Sequence, residues 1–590
     1  MNVSEIKRKC AHYLTGIGVS PGISISKAFT RTSEKVEVDS SLIDKDHIDD
    51  EIQKLNAALS KAKTELRRLQ NKAARRIGES NARIFDVHQL LLDDNTVISE
   101  VEACIRNELR TADWAYFHAM QKYQESLGQS RQEFFQSRVA DLKDVQQRVI
   151  RHIQGDRTDF LNRLKGNAVI IAAELTPSEA VKLDKHKAVG FAIDTGGRTS
   201  HVALIARSLE VPAVVGLRKL TRLVSGDERI IIDGTEGVVI IEPDDDVINH
   251  YRKLQQKQNE LEEKLTEVRD LPCVTLDGKE IELSANLEFA DEIESVKSHG
   301  ARGVGLYRTD YLYLAGEQLP SEEEQFKEYK NIVEKMAPET VIIRTMDIGG
   351  DKQPRSLEIP AEENPFLGWR AIRISLERKD IFSEQLKAIL RASKFGNVRI
   401  LFPMISGLGE VHECKSALEQ AKELLRQEGH AFDEEIETGV MIEVPSAAIL
   451  AYQIAKEVDF LSIGTNDLVQ YSLAVDRGNE RISYLYQHLH PAILRLIQST
   501  IQDGHRAGVW VGMCGDMASD PLSALLLLGL DLDEFSVSPH VLPEIKKILR
   551  STEHREAVKI AQKALEFDKA SEVEGYLVRI MHQKFKDLGF

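Results

Sequence analysis

The sequence predicts a multidomain α/β protein: an α/β domain interrupted by an all-α insertion, followed by a (β/α)8 TIM barrel. Three observations predict it. The chain has 590 residues, too many for one hydrophobic core, so three or four domains are expected. The apolar period switches from alternation to about 3.6 near residue 46 and switches back near residue 160. After Cys273, short apolar segments ending in polar residues recur at the spacing of repeated βα units.

Composition narrows the function classes. Charged residues make up 29% and the formal net charge is -17, which argues against a large nucleic-acid footprint. Cys10, Cys104, Cys273, Cys414 and Cys514 are scattered, with the spacing of neither a disulfide framework nor a zinc cluster. No apolar run is long enough to span a bilayer, and Leu522–Leu530 reads as a buried helix. The N-terminus has no apolar signal-like core, so a cytoplasmic protein without a membrane or nucleic-acid partner is expected.

Residues 1–13 are polar and read as a short or frayed helical extension. Leu14–Phe29 alternates around a Pro-Gly turn and predicts two short strands. Ile52, Leu55, Leu59, Ala62, Leu66 and Leu69 form one stripe of a long helix. Helical segments at 82–92, 96–107, 112–127 and 130–153 complete a bundle. Strand signals return at Asn167, and Gly226–Pro243 predicts a hairpin. The resulting domains are residues 1–45 with 159–244 (α/β), 46–158 (helical insertion), 245–272 (a charged helical linker) and 273–590 (barrel).

Two constellations carry chemistry. The first is TGGRTSHVALIAR, Thr195–Arg207, after the apolar strand at 188–193. Paired glycines allow a tight turn with free amides, Thr199 and Ser200 can cap the next helix, and His201 stands at its start. Such an imidazole suits the carriage of a transferred phosphoryl group, with the helix end and Arg207 stabilising the product.

The second lies at the barrel's strand ends. Arg308, Arg344, Glu443, Asn466, Asp467 and Cys514 follow apolar segments, and Arg477 occupies the next loop. Two carboxylates and an amide suit Mg²⁺, and three arginines suit a substrate carrying both phosphate and carboxylate. A thiol at the same mouth could exchange a proton with carbon.

These segments resemble the enzyme I family of bacterial phosphotransferase systems, the phosphoenolpyruvate–protein phosphotransferases. GGRTSHVALIAR resembles the phosphohistidine motif, and GLYRTDYLYL, RTMDIGGDK, NPFLGWRAIR, GVMIEVPSA, SIGTNDLVQYSLAVDRGN and GMCGDMASD resemble the barrel motifs in order. The resemblance runs from SPGI near Ser20 to the C-terminus, and no sensory domain is expected before SPGI. It implies that His201 is phosphorylated, that Arg308, Arg344, Asn466 and Arg477 bind phosphoenolpyruvate, and that Glu443 and Asp467 hold Mg²⁺. It implies Cys514 as the proton donor that completes pyruvate. It also implies that the helical insertion docks the carrier protein HPr, that the α/β domain swivels, and that the barrel forms a homodimer. Arg138–Asp144, RVADLKD, resembles the family stretch beside the swivelling domain.

The chain departs from the family pattern at Asp310 and Asp516, where Glu is usual, at Ser519 for Gly and at Val469 for Thr. A dikinase or synthase that uses ATP would need a nucleotide-binding domain before residue 160. Neither such a domain nor a G-x-x-x-x-G-K-[ST] loop is found there. A nitrogen-type regulatory phosphotransferase is the remaining alternative to sugar transport.

Overall fold

Short alternating segments from both ends of the first 243 residues build one eight-stranded sheet. In this computed structural model the described residues are 1, 3–31, 38–82, 84–128, 133–155, 164, 166–183, 187–197, 203, 205–206, 211–314, 318–350, 354, 356–357, 359–360, 362–477, 479 and 481–588. They form two compact units, Met1–Glu260 and Leu261–Phe590.

In the first unit, helix α1 (Val3–Arg8) precedes strands β1 (Cys10–Thr15), β2 (Ile17–Ser20) and β3 (Ile23–Thr30). After the helical insertion come β4 (Ala168–Ala172), β5 (Ala188–Ile193), β6 (Ala213–Val215), β7 (Arg229–Asp233) and β8 (Val238–Pro243). The sheet order is β1-β8-β7-β3-β4-β5-β6-β2. Strands β3 to β6 run parallel at its centre, and AVIIA of β4 is buried throughout, as a strand covered on both faces must be.

The extreme N-terminus differs from expectation. Residues 10–13 are not a frayed extension: β1 pairs antiparallel with β8, from Cys10 opposite Pro243 to Thr15 opposite Val238. Pairing satisfies the backbone edge that β8 would otherwise expose, and Ile6 of α1 packs with Ile231 and Ile240.

Among the described residues the insertion is five helices: α2 (Ile48–Ala82), α3 (Ile84–Leu92), α4 (Asn95–Glu108), α5 (Ala112–Gly128) and α6 (Glu133–Gln154). The stripe on α2 is real: Leu55, Leu59, Ala62, Leu66 and Leu69 are all buried in the helical core. That core also takes in Ala180 of α7 (Pro177–Lys182) and Ile205, so the helical and sheet portions pack against each other.

Charge ties the same two portions. Glu65 of α2 pairs with Arg148 of α6 at 2.5 Å and accepts from Lys182 of α7 at 3.1 Å. Arg148, almost wholly buried, also reaches Asp144 at 3.2 Å, and buried His88 lies 3.1 Å from Asp141.

The helix Asp245–Arg269 was expected to be linker from its first residue. Instead Val247, Ile248 and Tyr251 belong to the core of the first unit, and Gln255 donates to the Ile23 carbonyl at 2.8 Å. An apolar residue at every third or fourth position in those turns explains the anchoring. In the second unit, Lys546 donates to the carbonyls of Arg269 and of Gly300, the latter at 2.9 Å, and fixes the helix's other end to the barrel.

Eight parallel strands close the barrel: β9 (Glu282–Leu287), β10 (Gly303–Arg308), β11 (Thr340–Arg344), β12 (Val398–Phe402), β13 (Glu437–Ile442), β14 (Phe460–Ile463), β15 (Trp510–Met513) and β16 (Glu534–Val537). Alternate residues face inward. Leu306, Ile342, Leu401, Met441, Phe460 and Cys514 form an interior cluster, with Trp510 stacked on Phe460 at 4.6 Å. No helix among the described residues is long and apolar enough to cross a membrane, and Leu525–Leu528 are buried as expected.

The Glu65 cluster yields a pH-dependent prediction. Burial opposes ionisation of Glu65, but Arg148 and Lys182 prevail and hold it at about 2, down from 4.5. A depressed carboxylate stabilises fully above its unfolded value and loses that contribution as pH falls toward its folded one. Glu65→Gln should therefore cost the first unit about 3 kcal/mol at neutral pH. The deficit should shrink below pH 4.5, the ordinary value, and vanish near pH 2. Hydrogen exchange of α2 and α6 in the intact chain reads it, and a deficit that does not change with pH contradicts it.

Candidate active site

The strand ends of the barrel gather the residues expected there. Arg308 ends β10 and Arg344 ends β11, while Glu443 and Cys514 directly follow β13 and β15. Asn466 and Asp467 occupy the first turn of the helix Thr465–Leu473 after β14, and Arg477 follows that helix. Parallel strands in a barrel all point their C-terminal ends to one mouth, so the topology itself brings these groups together.

Two arginines at the mouth are committed to carboxylates. Arg344 donates to Asp310 at 2.7 Å and pairs with Asp347 at 2.9 Å. Arg370 clasps two carboxylates: it reaches Asp347 at 3.0 and 3.2 Å and Asp467 at 3.1 Å through both terminal nitrogens. It also donates to the Tyr471 hydroxyl at 3.0 Å. All five charged side chains are buried. Burial disfavours both guanidinium charges, yet the facing carboxylates outweigh it and raise both arginines. Only a planar fork with several fixed donors can serve two carboxylates in this way. The Nε of Arg344 stays buried with no hydrogen-bond partner among the described residues.

Arg370 and Asp347 were not singled out as site residues from the sequence. Asp347 lies three residues past Arg344 on one strand end, a spacing that could have flagged it. Arg370 lies in a loop remote from any strand, inside the motif NPFLGWRAIR, which marks the segment but not the role of this arginine. Its neighbour Ala371 has φ 52° and ψ -123°, a conformation that is strained for any residue with a side chain. Held strain beside buried charge is a common mark of a functional centre.

Glu443 is fully buried, and its Oε1 accepts from the Met404 amide at 2.6 Å. Met404 holds φ 56° to present that N–H. Burial, with Asp467 and Asp347 adding like charge, pushes the Glu443 carboxyl well above the ordinary range, while Arg370 and Arg344 pull back. Gly464 makes room for it, because a Cβ there would stand 2.9 Å from Glu443 Oε2. A carboxylate in a cradle only glycine leaves open, beside a second carboxylate, fits a small cation with hard oxygen ligands. Among the described residues no three acidic, His or Cys side chains enclose an ion, so such a cation would take its remaining ligands from substrate and water.

Arg308 and Arg477 make no ion pair among the described residues. Arg477 lies beside the Tyr486 hydroxyl, whose own ionisation burial pushes up to about 12. Asn466 accepts from the Asp516 amide at 2.9 Å through Oδ1. Cys514 is buried, and burial pushes its thiol up to about 11. A hydrogen bond from Ser462 and the charges of Arg344 and Arg308 lower the thiol, while Glu443 raises it. It is thus held as a neutral thiol.

The departures at Asp310 and Val469 have structural reasons. Asp310 reaches Arg344 despite its shorter side chain, and its Oδ1 also accepts from the Asp347 amide at 3.2 Å. Val469 is fully buried in the barrel core, where a methyl in place of a hydroxyl leaves no donor to satisfy.

In the first unit, Asp194 follows β5 and accepts from Leu220 N at 2.5 Å and Thr221 N at 3.1 Å, anchoring the turn that leads to Gly196 (φ 95°). His201, Thr199, Ser200 and Arg207 lie outside the described residues. Ala203 and Ala206, just beyond His201, are buried in the sheet's core, whereas Ile205 is buried in the helical one.

A closed parallel barrel with buried arginine–carboxylate forks, uncommitted arginines and a neutral thiol at its mouth defines a class of enzyme that handles a small polyanion. Comparison with known proteins narrows the class. Three family models match: PEP-utilising enzyme, PEP-binding domain, over residues 262–554; its N-terminal model over 15–138; and its mobile-domain model over 164–237. The phosphoenolpyruvate-protein phosphotransferase of Haemophilus influenzae is 42% identical over 561 residues, 95% of this chain and 98% of its own length. That of Geobacillus stearothermophilus is 42% identical over 576 residues, 98% of this chain and 99% of its own. An NMR structure of an Enzyme I protein is 38% identical and covers 42% of this chain and 99% of its own, at a TM-score of 0.36. The chain belongs to the PEP-utilising enzyme family.

Removing the shared fork should expose its structural weight. Arg370→Leu leaves Asp347 and Asp467 as buried charges without it, and should cost the barrel about 3–5 kcal/mol. An unchanged thermal transition of the barrel would contradict the role assigned to the fork.

Proposed function

We propose that this chain is a phosphoenolpyruvate–protein phosphotransferase: it moves the phosphoryl group of phosphoenolpyruvate to His201 and then to an HPr-type carrier, releasing pyruvate, as the first step of sugar phosphotransfer. The observation that carries this reading is the barrel mouth. Buried forks hold the carboxylates there, while Arg308 and Arg477 make no ion pair and the buried Nε of Arg344 has no hydrogen-bond partner among the described residues. Near-full-length similarity to named phosphotransferases supports the same reading.

In this mechanism, Arg308, Arg344 and Arg477, with the amide of Asn466, bind the phosphate and carboxylate of the substrate. Glu443 and Asp467 would hold Mg²⁺, which when bound neutralises charge on the transferring phosphoryl group. Asp467 already accepts from Arg370, but each oxygen keeps a second lone pair for a cation. The imidazole of His201 must be neutral to attack phosphorus. Cys514, kept protonated by burial, delivers its proton to the methylene carbon of the enolpyruvate.

The domain assignment follows these tasks. Residues 1–45 with 159–244 form the swivelling phosphohistidine domain, 46–158 dock the carrier, 245–272 link, and 273–590 bind phosphoenolpyruvate. Leu90 on α3 is 70% exposed, which suits docking of a protein partner. The middle of the helix Asp245–Arg269 is largely exposed at residues 256–260 and 263–264, between its anchored ends, and suits a swivel. Leu367, Ile449, Tyr484 and Leu485 are exposed apolar residues on segments after strand C-termini, which favours a barrel-mediated homodimer. The protein acts in the cytoplasm on this reading.

The test is to follow phosphorus-labelled phosphoenolpyruvate with Mg²⁺ and a panel of HPr proteins. Label should pass to His201 and then to a carrier. His201→Ala should abolish both transfers while still binding phosphoenolpyruvate. Acid-labile phosphate on another histidine would overturn the assignment. Separately, Glu443→Gln and Asp467→Asn should each shift the Mg²⁺ dependence of turnover to much higher concentration, and an unchanged midpoint in both would exclude direct ligation.

A further inference from the structure

Strand β14 alternates, and its inward residue Ser462 is fully buried beside Cys514 on the neighbouring strand end. The Ser462 hydroxyl donates to Cys514 Sγ at 3.3 Å, within the reach of a hydrogen bond to sulfur. The rest of Cys514 is fixed independently. Its amide donates to the Ile463 carbonyl at 3.2 Å. Its carbonyl accepts from Asn286 Nδ2 at 3.1 Å, and Asn286 Oδ1 accepts in turn from Ser536 at 2.7 Å. The backbone at residue 514 therefore does not need Ser462 to hold its place, and the one group that Ser462 addresses is the sulfur. The thiol's own proton has one long contact, 3.9 Å, to the Ile463 carbonyl.

We infer that Ser462 is a positioning residue for the proton-delivery step: its hydroxyl aims the Cys514 sulfur and stabilises the thiolate that appears there as the proton leaves. The step balances as follows. The S–H bond of Cys514 breaks and a C–H bond forms at the methylene carbon of the enolate. The enolate's electrons make that bond and the ketone carbonyl of pyruvate. The electron pair of the broken S–H bond stays on sulfur, and water later returns a proton. Sulfur gains a full negative charge in a buried site, where a donor already in place counts for most. The Ser462 hydrogen bond strengthens when its acceptor becomes charged, so it favours the late part of the step over bound substrate. This inference rests on Cys514 being the donor, as in the proposed function.

The test uses the full-length protein. Iodoacetamide labelling of Cys514, followed by mass spectrometry of its peptide at fixed mildly alkaline pH, reads thiolate formation without any substrate. Ser462→Ala should slow labelling on the order of 10- to 100-fold, the worth of one hydrogen bond to a charged group. Ser462→Thr, which keeps the hydroxyl, should restore most of it. In turnover, Ser462→Ala should lower kcat with little change in KM for phosphoenolpyruvate. Proton delivery to the pyruvate methyl in heavy water should be slowed by Ser462→Ala in the parent and not further slowed in Cys514→Ala. Equal labelling in the parent and both Ser462 variants, or an undiminished Ser462→Ala effect in the Cys514→Ala background, overturns the inference. If Cys514→Ala itself delivers the proton at the parent's rate and to the same face, the donor assignment fails, and the labelling comparison still decides what Ser462 does to the sulfur.

Discussion

Everything at the barrel mouth depends on one constraint: five charged side chains are buried together, so their charges must be balanced against one another. Arg344 and Arg370 supply two positive charges against Asp310, Asp347 and Asp467, and Glu443 sits within the same field. Left unpaired, any of these would be a severe liability. Arg370 and the two terminal nitrogens of Arg344 are spent on internal carboxylates, which leaves the Nε of Arg344 without a partner among the described residues. Arg308 and Arg477 make no ion pair among the described residues, so on the proposed function they would meet substrate without first breaking one. Such preorganisation lets binding free energy go to orienting the reactants rather than to assembling the site.

On the proposed function, the same burial divides the chemistry. Phosphoryl transfer needs positive charge near oxygen, and arginines provide it. Carbon protonation needs a neutral acid, and burial keeps Cys514 in that form although two arginines lie nearby. One pocket thus holds groups of opposite electrostatic demand by giving the thiol a dry wall of Leu306, Met441 and Phe460 on the barrel interior. In the first unit, Asp194 secures the chain after β5, and Ala203 and Ala206 are buried in the sheet's core while Ile205 is buried in the helical one.

Much of this was legible in the sequence because barrel strands are short apolar runs with a polar stop. Seven of the eight were read from that pattern. The eighth, Glu534–Val537, has a single apolar pair flanking a serine and begins with a buried glutamate, so its period is too brief to register. The five-helix insertion was legible because α2 carries a regular stripe. Arg370 was hidden because its work comes from distant partners, Asp347 and Asp467, that only the closed barrel brings within reach. Ser462 was hidden for a related reason: an inward serine in FLSI looks like a filler until Cys514 appears beside it. Residues 10–13 misled because the edge they complete, β8, lies more than two hundred residues away.

The division between committed and available arginines is the claim on which the account turns. Its most direct test is calorimetric titration of phosphoenolpyruvate, with Mg²⁺ present, into a His201→Ala background that cannot turn over. Adding Arg308→Met or Arg477→Met should weaken binding on the order of tenfold or more while the thermal transition of the barrel stays where it was. Unchanged affinity in both variants, or a collapse of barrel stability in either, would mean that these arginines hold the protein rather than the substrate, and would contradict the account.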